Sequence, residues 1–137
     1  MRLYCFANMY TAGIHAGIQS LHATSAMWRR YFSDPESGQA ATLCEWEDNH
    51  KTVVVLNGGY QSSLLELEAL LQSPDNPFPW CSFNESMEAL NGALTAVCIV
   101  LPERLYDRTL NGLVKPDDFT DWEWAMFQWR EKCPQAR

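Results

Sequence analysis

The chain has 137 residues, 47% of them hydrophobic and 20% charged, with six Trp, six Phe, five Tyr and a formal net charge of −7. That length suits one domain with a sizeable core, and the composition excludes a disordered or low-complexity chain. The charge excludes a broadly basic surface of the kind that neutralises a long polyanion.

Arg2–Asn8 (RLYCFAN) is predicted as a strand, because Leu3, Tyr4, Cys5 and Phe6 form a short β-favouring run. Met9–Gly13 follows as a loop, with Thr11 placed to cap a helix. Ile14 to Phe32 fits a long helix whose apolar stripe is Ile14, Ile18, Leu21, Trp28 and Phe32. Ser33–Gly38, with Asp34-Pro35, ends it, and Gln39–Asp48 reads as a short second helix. Lys51–Leu56 (KTVVVL) is the continuous pattern of a strand buried on both faces. Asn57-Gly58-Gly59 terminates it, and Gln61–Gln72 is strongly helical. After the Ser73–Pro79 loop come two strands, Trp80–Phe83 and the almost wholly apolar Leu94–Leu101. A short helix is expected at Glu103–Arg108. A C-terminal helix is expected at Asp117–Lys132, with Phe119, Trp122, Met126 and Trp129 at helical spacing.

This order predicts a three-layer α/β/α fold around a four-stranded mixed, mostly parallel sheet, plus an aromatic-rich C-terminal helix. Leu3–Phe6 and Leu94–Leu101 are the expected central strands. The link between the last two strands has no helix long enough for a right-handed crossover, so one strand should run antiparallel. Residues 1–108 form the expected main domain, and 109–137 an extension packed on it.

The longest uncharged stretch, Leu3 to Trp28, contains two His, a Gln, an Asn and several Ser and Thr. It is too polar for a membrane span and lacks a signal-peptide pattern, so a cytoplasmic protein is expected. The cysteines, Cys5, Cys44, Cys81, Cys98 and Cys133, are odd in number and never form CxxC. Reduced, mostly buried thiols follow. His15 and His22 stand seven apart with no third ligand nearby, so neither a metal site nor a cofactor is expected. Residues 1–33 hold Arg2, Arg29 and Arg30 and no acid, hence +3, which leaves −10 on the other 104 residues. So small a basic region suits a small anionic ligand better than a nucleic-acid duplex.

Ile14-His15-Ala16-Gly17-Ile18-Gln19-Ser20-Leu21-His22-Ala23 resembles the Gly-Lys-x-Ala-x-Gln-x-x-His-Ala helix of type 2 peptidyl-tRNA hydrolases. Gln19, His22 and Ala23 match, whereas His15 stands at the family's catalytic lysine and Ile14 at its glycine. Asn91-Gly92-Ala93-Leu94-Thr95 resembles the Pro-Gly-x-x-Thr entry to the family's last strand. The preceding Asp-Ala-Gly-x-Thr-Glu turn is not kept. Its aspartate position falls on Phe83, or on Asn84 with a one-residue gap, and its threonine on Met87 or Glu88. The resemblance covers residues 2–102. It implies the α/β fold and assigns ester attack to a lysine, an aspartate and the helix histidine, of which this chain keeps only the histidine.

His15, Gln19 and His22 share one helical face. That face lines either a pocket near the carboxyl ends of strands one and four, or a polar seam against the C-terminal helix or a dimer mate. Tyr10-Thr11-Ala12-Gly13 before the helix is a candidate phosphate turn. The candidate ligand-binding set is therefore Tyr10, Thr11, Gly13, His15, Gln19, His22, Asn84, Glu88 and Thr95, with His22 and His15 catalytic only in an enzyme. The expected function is capture of a small anionic, nucleotide-like ligand without turnover, as in viral proteins that sequester a signalling nucleotide. One alternative is a divergent peptidyl-tRNA hydrolase acting on tRNA. The other is an interaction module using the C-terminal aromatic helix. No membrane partner is expected, and a homodimer is.

Overall fold

The computed structural model describes residues 1–110 and 114–136. Residues 111–113 and Arg137, part of the expected C-terminal extension, lie outside them. The elements are β1 (Arg2–Ala7), α1 (Ile14–Phe32), α2 (Gly38–Asn49), β2 (Val53–Asn57), α3 (Gln61–Leu71), β3 (Trp80–Asn84), the single turn α4 (Met87–Leu90), β4 (Leu94–Leu101) and α5 (Asp121–Glu131). The expected short helix at Glu103–Arg108 is only a 3-10 turn, Glu103–Leu105. The C-terminal helix begins later than expected because Thr120 and Glu123 form a reciprocal capping box that sets its start.

The sheet order is β2-β1-β4-β3. β1 pairs parallel with β2 and antiparallel with β4, and β3 pairs antiparallel with β4. Three strands thus share a direction and one opposes them, as the short β3–β4 link requires. The expected mostly parallel sheet needs one correction. The opposing strand sits between β1 and β3, so only the β1–β2 pairing is parallel.

β1 and β4 are central, and every residue of β4 is buried. Tyr4, Phe6, Val97 and Ile99 face α3 and α5, packing with Leu64, Leu67, Trp122, Met126 and Phe127. Leu3, Cys5, Ala96 and Cys98 face α1 and α2, packing with Ala23, Met27, Leu43 and Trp46. The alternation along each strand therefore fills two apolar layers.

β2 was expected to be covered on both faces, but it is an edge strand and Val53 is half exposed. A β-branched run has the same pattern at an edge as in a centre. The C-terminal tail shields part of this edge. Asn57 N donates to Pro134 O at 2.8 Å and Ala136 N to Val55 O at 3.1 Å, around an antiparallel bridge from Leu56 to Gln135.

The apolar stripe of α1 faces mostly outward. Ile14, Leu21 and Phe32 are 76%, 64% and 71% exposed, while Ala16, Gln19, Ser20, Ala23 and Met27 face the sheet. Small side chains let the helix lie close on β3 and β4, and the bulky stripe is left outside. Among the described residues no helix is long and apolar enough to cross a membrane.

Candidate functional site

Because β4 runs against β1, the carboxyl end of β1 lies beside the amino end of β4, with Ala7 opposite Ala96. The expected pocket near the carboxyl ends of both strands cannot exist, since those ends lie at opposite ends of the antiparallel β1–β4 pair. The residues singled out in the sequence gather where β1, β2 and β3 end and β4 begins.

Asn8, which the sequence reading did not select, organises the loop there. Its side-chain amide donates to Leu94 O at 2.9 Å, and its Oδ1 accepts from Tyr10 N at 3.0 Å. Thr11 does not cap α1. Its hydroxyl donates back to Asn8 O at 2.7 Å, and the cap position is Gly13, at φ 57°. A left-handed backbone there suits glycine. Tyr10 projects into solvent and meets Tyr60 edge to face, with centroids 5.6 Å apart. Of the predicted set only Thr11 lines a sizeable described cleft. That cleft, of about 410 Å³, lies at the ends of β1 and β2 and includes Asn8 and Asn57.

Gln19 and Thr95 do meet. The Thr95 hydroxyl donates to Gln19 Oε1 at 2.8 Å, and Gln19 Nε2 donates to Glu85 Oε2 at 3.3 Å. Both residues are buried and their polar groups are partnered within the protein. This is a polar seam, and it joins α1 to β4 and the β3–α4 turn rather than to the C-terminal helix. His22 is exposed on the flank of the seam, its ring stacked on Phe83 at 4.6 Å. His15 is exposed one turn before Gln19, and among the described residues neither histidine has a carboxylate in hydrogen-bond range. Asn84 donates to Gly92 O at 3.0 Å and closes the 84–92 turn, while Glu88 is exposed on α4.

The most cationic described cleft lies elsewhere, on the α5 face of the sheet beside the β1–β2 pair. It measures about 530 Å³ and is lined by Arg2, Tyr4, Tyr106, Arg108, Arg130 and Glu131, among others. Three arginines and a single acidic residue line it, in a chain that is acidic overall. Arg130, whose side chain is only 14% exposed, is fixed by donation from Nε to Leu105 O at 3.0 Å and by an ion pair to Glu131 at 2.8 Å. The Arg2 guanidinium lies 4.4 Å over the Tyr106 ring. Among the described residues no carboxylate oxygen comes within 4.0 Å of Arg2 or Arg108. Burial pushes the Tyr106 hydroxyl above its ordinary pKa, against the pull of Arg2, so it remains a hydrogen-bond donor at neutral pH. Guanidinium groups clustered on a concave surface focus positive potential and match the planar oxygens of carboxylate or phosphate.

Of these residues only Arg2 belongs to the basic segment noted in the sequence. Arg108 and Arg130 join it through the tertiary fold, and no local motif links them. Arg29 and Arg30 lie elsewhere, and Arg30 braces the fold by donating to Trp80 O at 3.3 Å while lying 4.8 Å over the Trp80 ring.

Cys5 and Cys98 are buried, Cys81 and Cys133 half-buried, and Cys44 exposed, all as free thiols. Among the described residues no group of three or more His, Cys, Asp or Glu is arranged to hold a metal ion. No protein-family model matches the chain, and no curated protein matches it.

Proposed function

We propose that this protein is a non-catalytic binding protein that captures a small anionic, nucleotide-like ligand, on a scaffold resembling that of type 2 peptidyl-tRNA hydrolases. The observation that carries the reading is the convergence of Arg2, Arg108 and Arg130 on one cleft of about 530 Å³. That volume is within the usual range for small-molecule sites, about 300–1,000 Å³. Arg130 is held in place before any ligand arrives, so little side-chain order is lost on binding. Half-buried Tyr106, with the Arg2 guanidinium over its ring, adds aromatic surface beside the charge, suited to a ligand that is part anion and part flat heterocycle.

The Gln19–Thr95 seam supports the fold in this reading, and its histidines have no catalytic task. Isothermal titration of mono-, di- and cyclic nucleotides, with the matching neutral nucleosides as controls, tests the proposal. Nucleotides should bind and nucleosides should not. Arg2→Gln and Arg108→Gln, which leave Arg130 and its structural contacts alone, should each weaken binding about tenfold or more, equivalent to roughly 1.4 kcal/mol. Failure of every nucleotide to bind at about 1 mM, or binding indifferent to both substitutions, would overturn it. Sequestration of a signalling nucleotide is the biological role that such capture without turnover would serve.

A further inference from the structure

The outward face of α1 carries a repeat that its own fold uses only at half-buried Trp28. Ile14, Ile18, Leu21, Ser25, Trp28 and Phe32 follow one another in steps of four and three residues. That 3.5-residue alternation is the seam of a helix packed lengthwise on another helix. Ile14, Ile18, Leu21 and Phe32 all rank among the exposed large hydrophobic residues, and Ser25 is exposed with them. The opposite side of the same helix is already committed to the sheet through Ala16, Ala23 and Met27.

We propose that the outward face of α1 binds a second copy of this chain, helix against helix in antiparallel sense, to form a symmetric homodimer.

Three features select a second copy as the occupant. First, the stripe complements itself. A two-fold axis crossing α1 at Ala23 places Ile14 opposite the partner's Phe32 and Ile18 opposite the partner's Trp28. The same axis places Leu21 opposite the small Ser25 of the other copy, so the seam is apolar at its ends and pairs large against small near the axis. Second, the Phe32 end has a socket. A small apolar cleft of about 70 Å³ opens between Trp28, Phe32, Pro35 and Leu43, next to where the partner's Ile14 would arrive. Two-fold symmetry fills both sockets at once and leaves no open end for further association.

Third, the charges fit an antiparallel arrangement. α1 contains no acid, and its last turn carries Arg29 and Arg30. Gln19 and His22 mark the flank facing β3 and α4, through Glu85 and Phe83. Arg29, seven residues after His22, leans to that same flank. A two-fold axis across the helix sets this flank of one copy beside the same flank of the other while exchanging the helix ends. Exposed Arg29 then approaches the partner's α4 end, where Glu85 and exposed Glu88 lie. A parallel pairing would put Arg29 beside the other flank.

A 19-residue helix is about 28 Å long and about 10 Å across. Such a seam shields on the order of 1,000–1,200 Å² in total, the lower end of the range for specific interfaces. A dimer in the micromolar range is therefore expected rather than an obligate one.

Sedimentation velocity from about 1 to about 500 µM tests this. The mass should rise from 15.7 kDa towards twice that value. Leu21→Glu and Ile14→Glu should each remain monomeric throughout with unchanged circular dichroism and Tm, because both positions are exposed in the monomer. Leu65→Glu, exposed on α3 across the sheet, should dimerise like the wild type. Arg29→Glu should weaken the dimer several-fold, and adding Glu88→Arg should restore it. A wild-type monomer across the whole range overturns the proposal, as does a dimer surviving both helix substitutions. A dimer that Glu88→Arg cannot rescue overturns the antiparallel assignment.

Discussion

The hydroxyl of Thr95 and the side-chain oxygen of Gln19 lie 2.8 Å apart, and that buried hydrogen bond joins the first helix to the strand at the centre of the sheet. Its location decides what a substitution there would do. Gln19→Ala leaves the Thr95 hydroxyl without its side-chain partner and removes the amide that reaches Glu85. A loss of about 1–3 kcal/mol of unfolding free energy is expected, measured by urea titration. In a double-mutant cycle Gln19→Ala and Thr95→Val should be non-additive, because they remove the same bond. Nucleotide affinity at the arginine cleft should be unchanged. Wild-type stability in Gln19→Ala would mean that the seam does not support the fold.

No efficient cleavage of peptidyl-tRNA is expected from this chain. Under the proposed resemblance to type 2 peptidyl-tRNA hydrolases, His15 stands where those enzymes carry a lysine, and neither alignment of the 83–88 segment restores an aspartate. In the folded chain His22 is stacked on Phe83 instead of being oriented by a carboxylate. A general base is normally held by such a partner. Multiple turnover of about 1 s⁻¹ or more, abolished by His22→Ala, would replace the binding reading with the hydrolase one.

Gly58 is required by packing. A Cβ placed there would come 2.6 Å from Leu64 Cδ2 and 3.1 Å from Phe6 Cβ, where α3 closes on β1. Gly58→Ala should therefore destabilise the protein by about 1–3 kcal/mol through overpacking. Gly59 has φ +82°, so Gly59→Ala should also destabilise, through its backbone. Thermal melts of the two variants check this, and an unchanged Tm for Gly58→Ala would refute the close approach.

The thiols should separate by environment. Exposed Cys44 should react at once with a thiol reagent, whereas buried Cys5 and Cys98 should react only on unfolding. Burial pushes the Cys98 thiol well above its ordinary pKa, and the Cys133 thiol up to about 11. The folded state therefore holds these protons more tightly than the unfolded chain does. Their contribution to stability is intact below about pH 9, the ordinary thiol range. It is lost as pH rises through 9 towards 11. Tm should fall over that interval, and Cys133→Ser should fall less steeply. Identical alkaline profiles would remove Cys133 as a cause.

Much of the architecture is decided locally. An eight-residue run such as Leu94–Leu101, apolar but for Thr95, has no polar face to show to water, which points to the centre of the sheet, where it lies. The short β3–β4 link cannot recross the sheet, which makes one strand antiparallel. Periodicity located α1, α3 and α5 to within a few residues, because hydrogen-bonded helices keep one rise and one turn whatever they pack against. The tertiary structure alone decided the remainder. α1 has two usable faces, and hydrophobicity favours the Ile/Leu stripe, yet close approach to the sheet selects the small residues Ala16, Ser20 and Ala23. Val53–Leu56 would read the same at an edge or in the middle, so the neighbours of β2 fixed its exposure. Gln19 and Thr95 were legible as polar residues in apolar surroundings, but that they bond to each other required the fold. The arginine cleft was not legible at all, because it joins residues 2, 108 and 130 from three remote segments. Electrostatic potential adds over distances in space, and separation along the chain carries no trace of it.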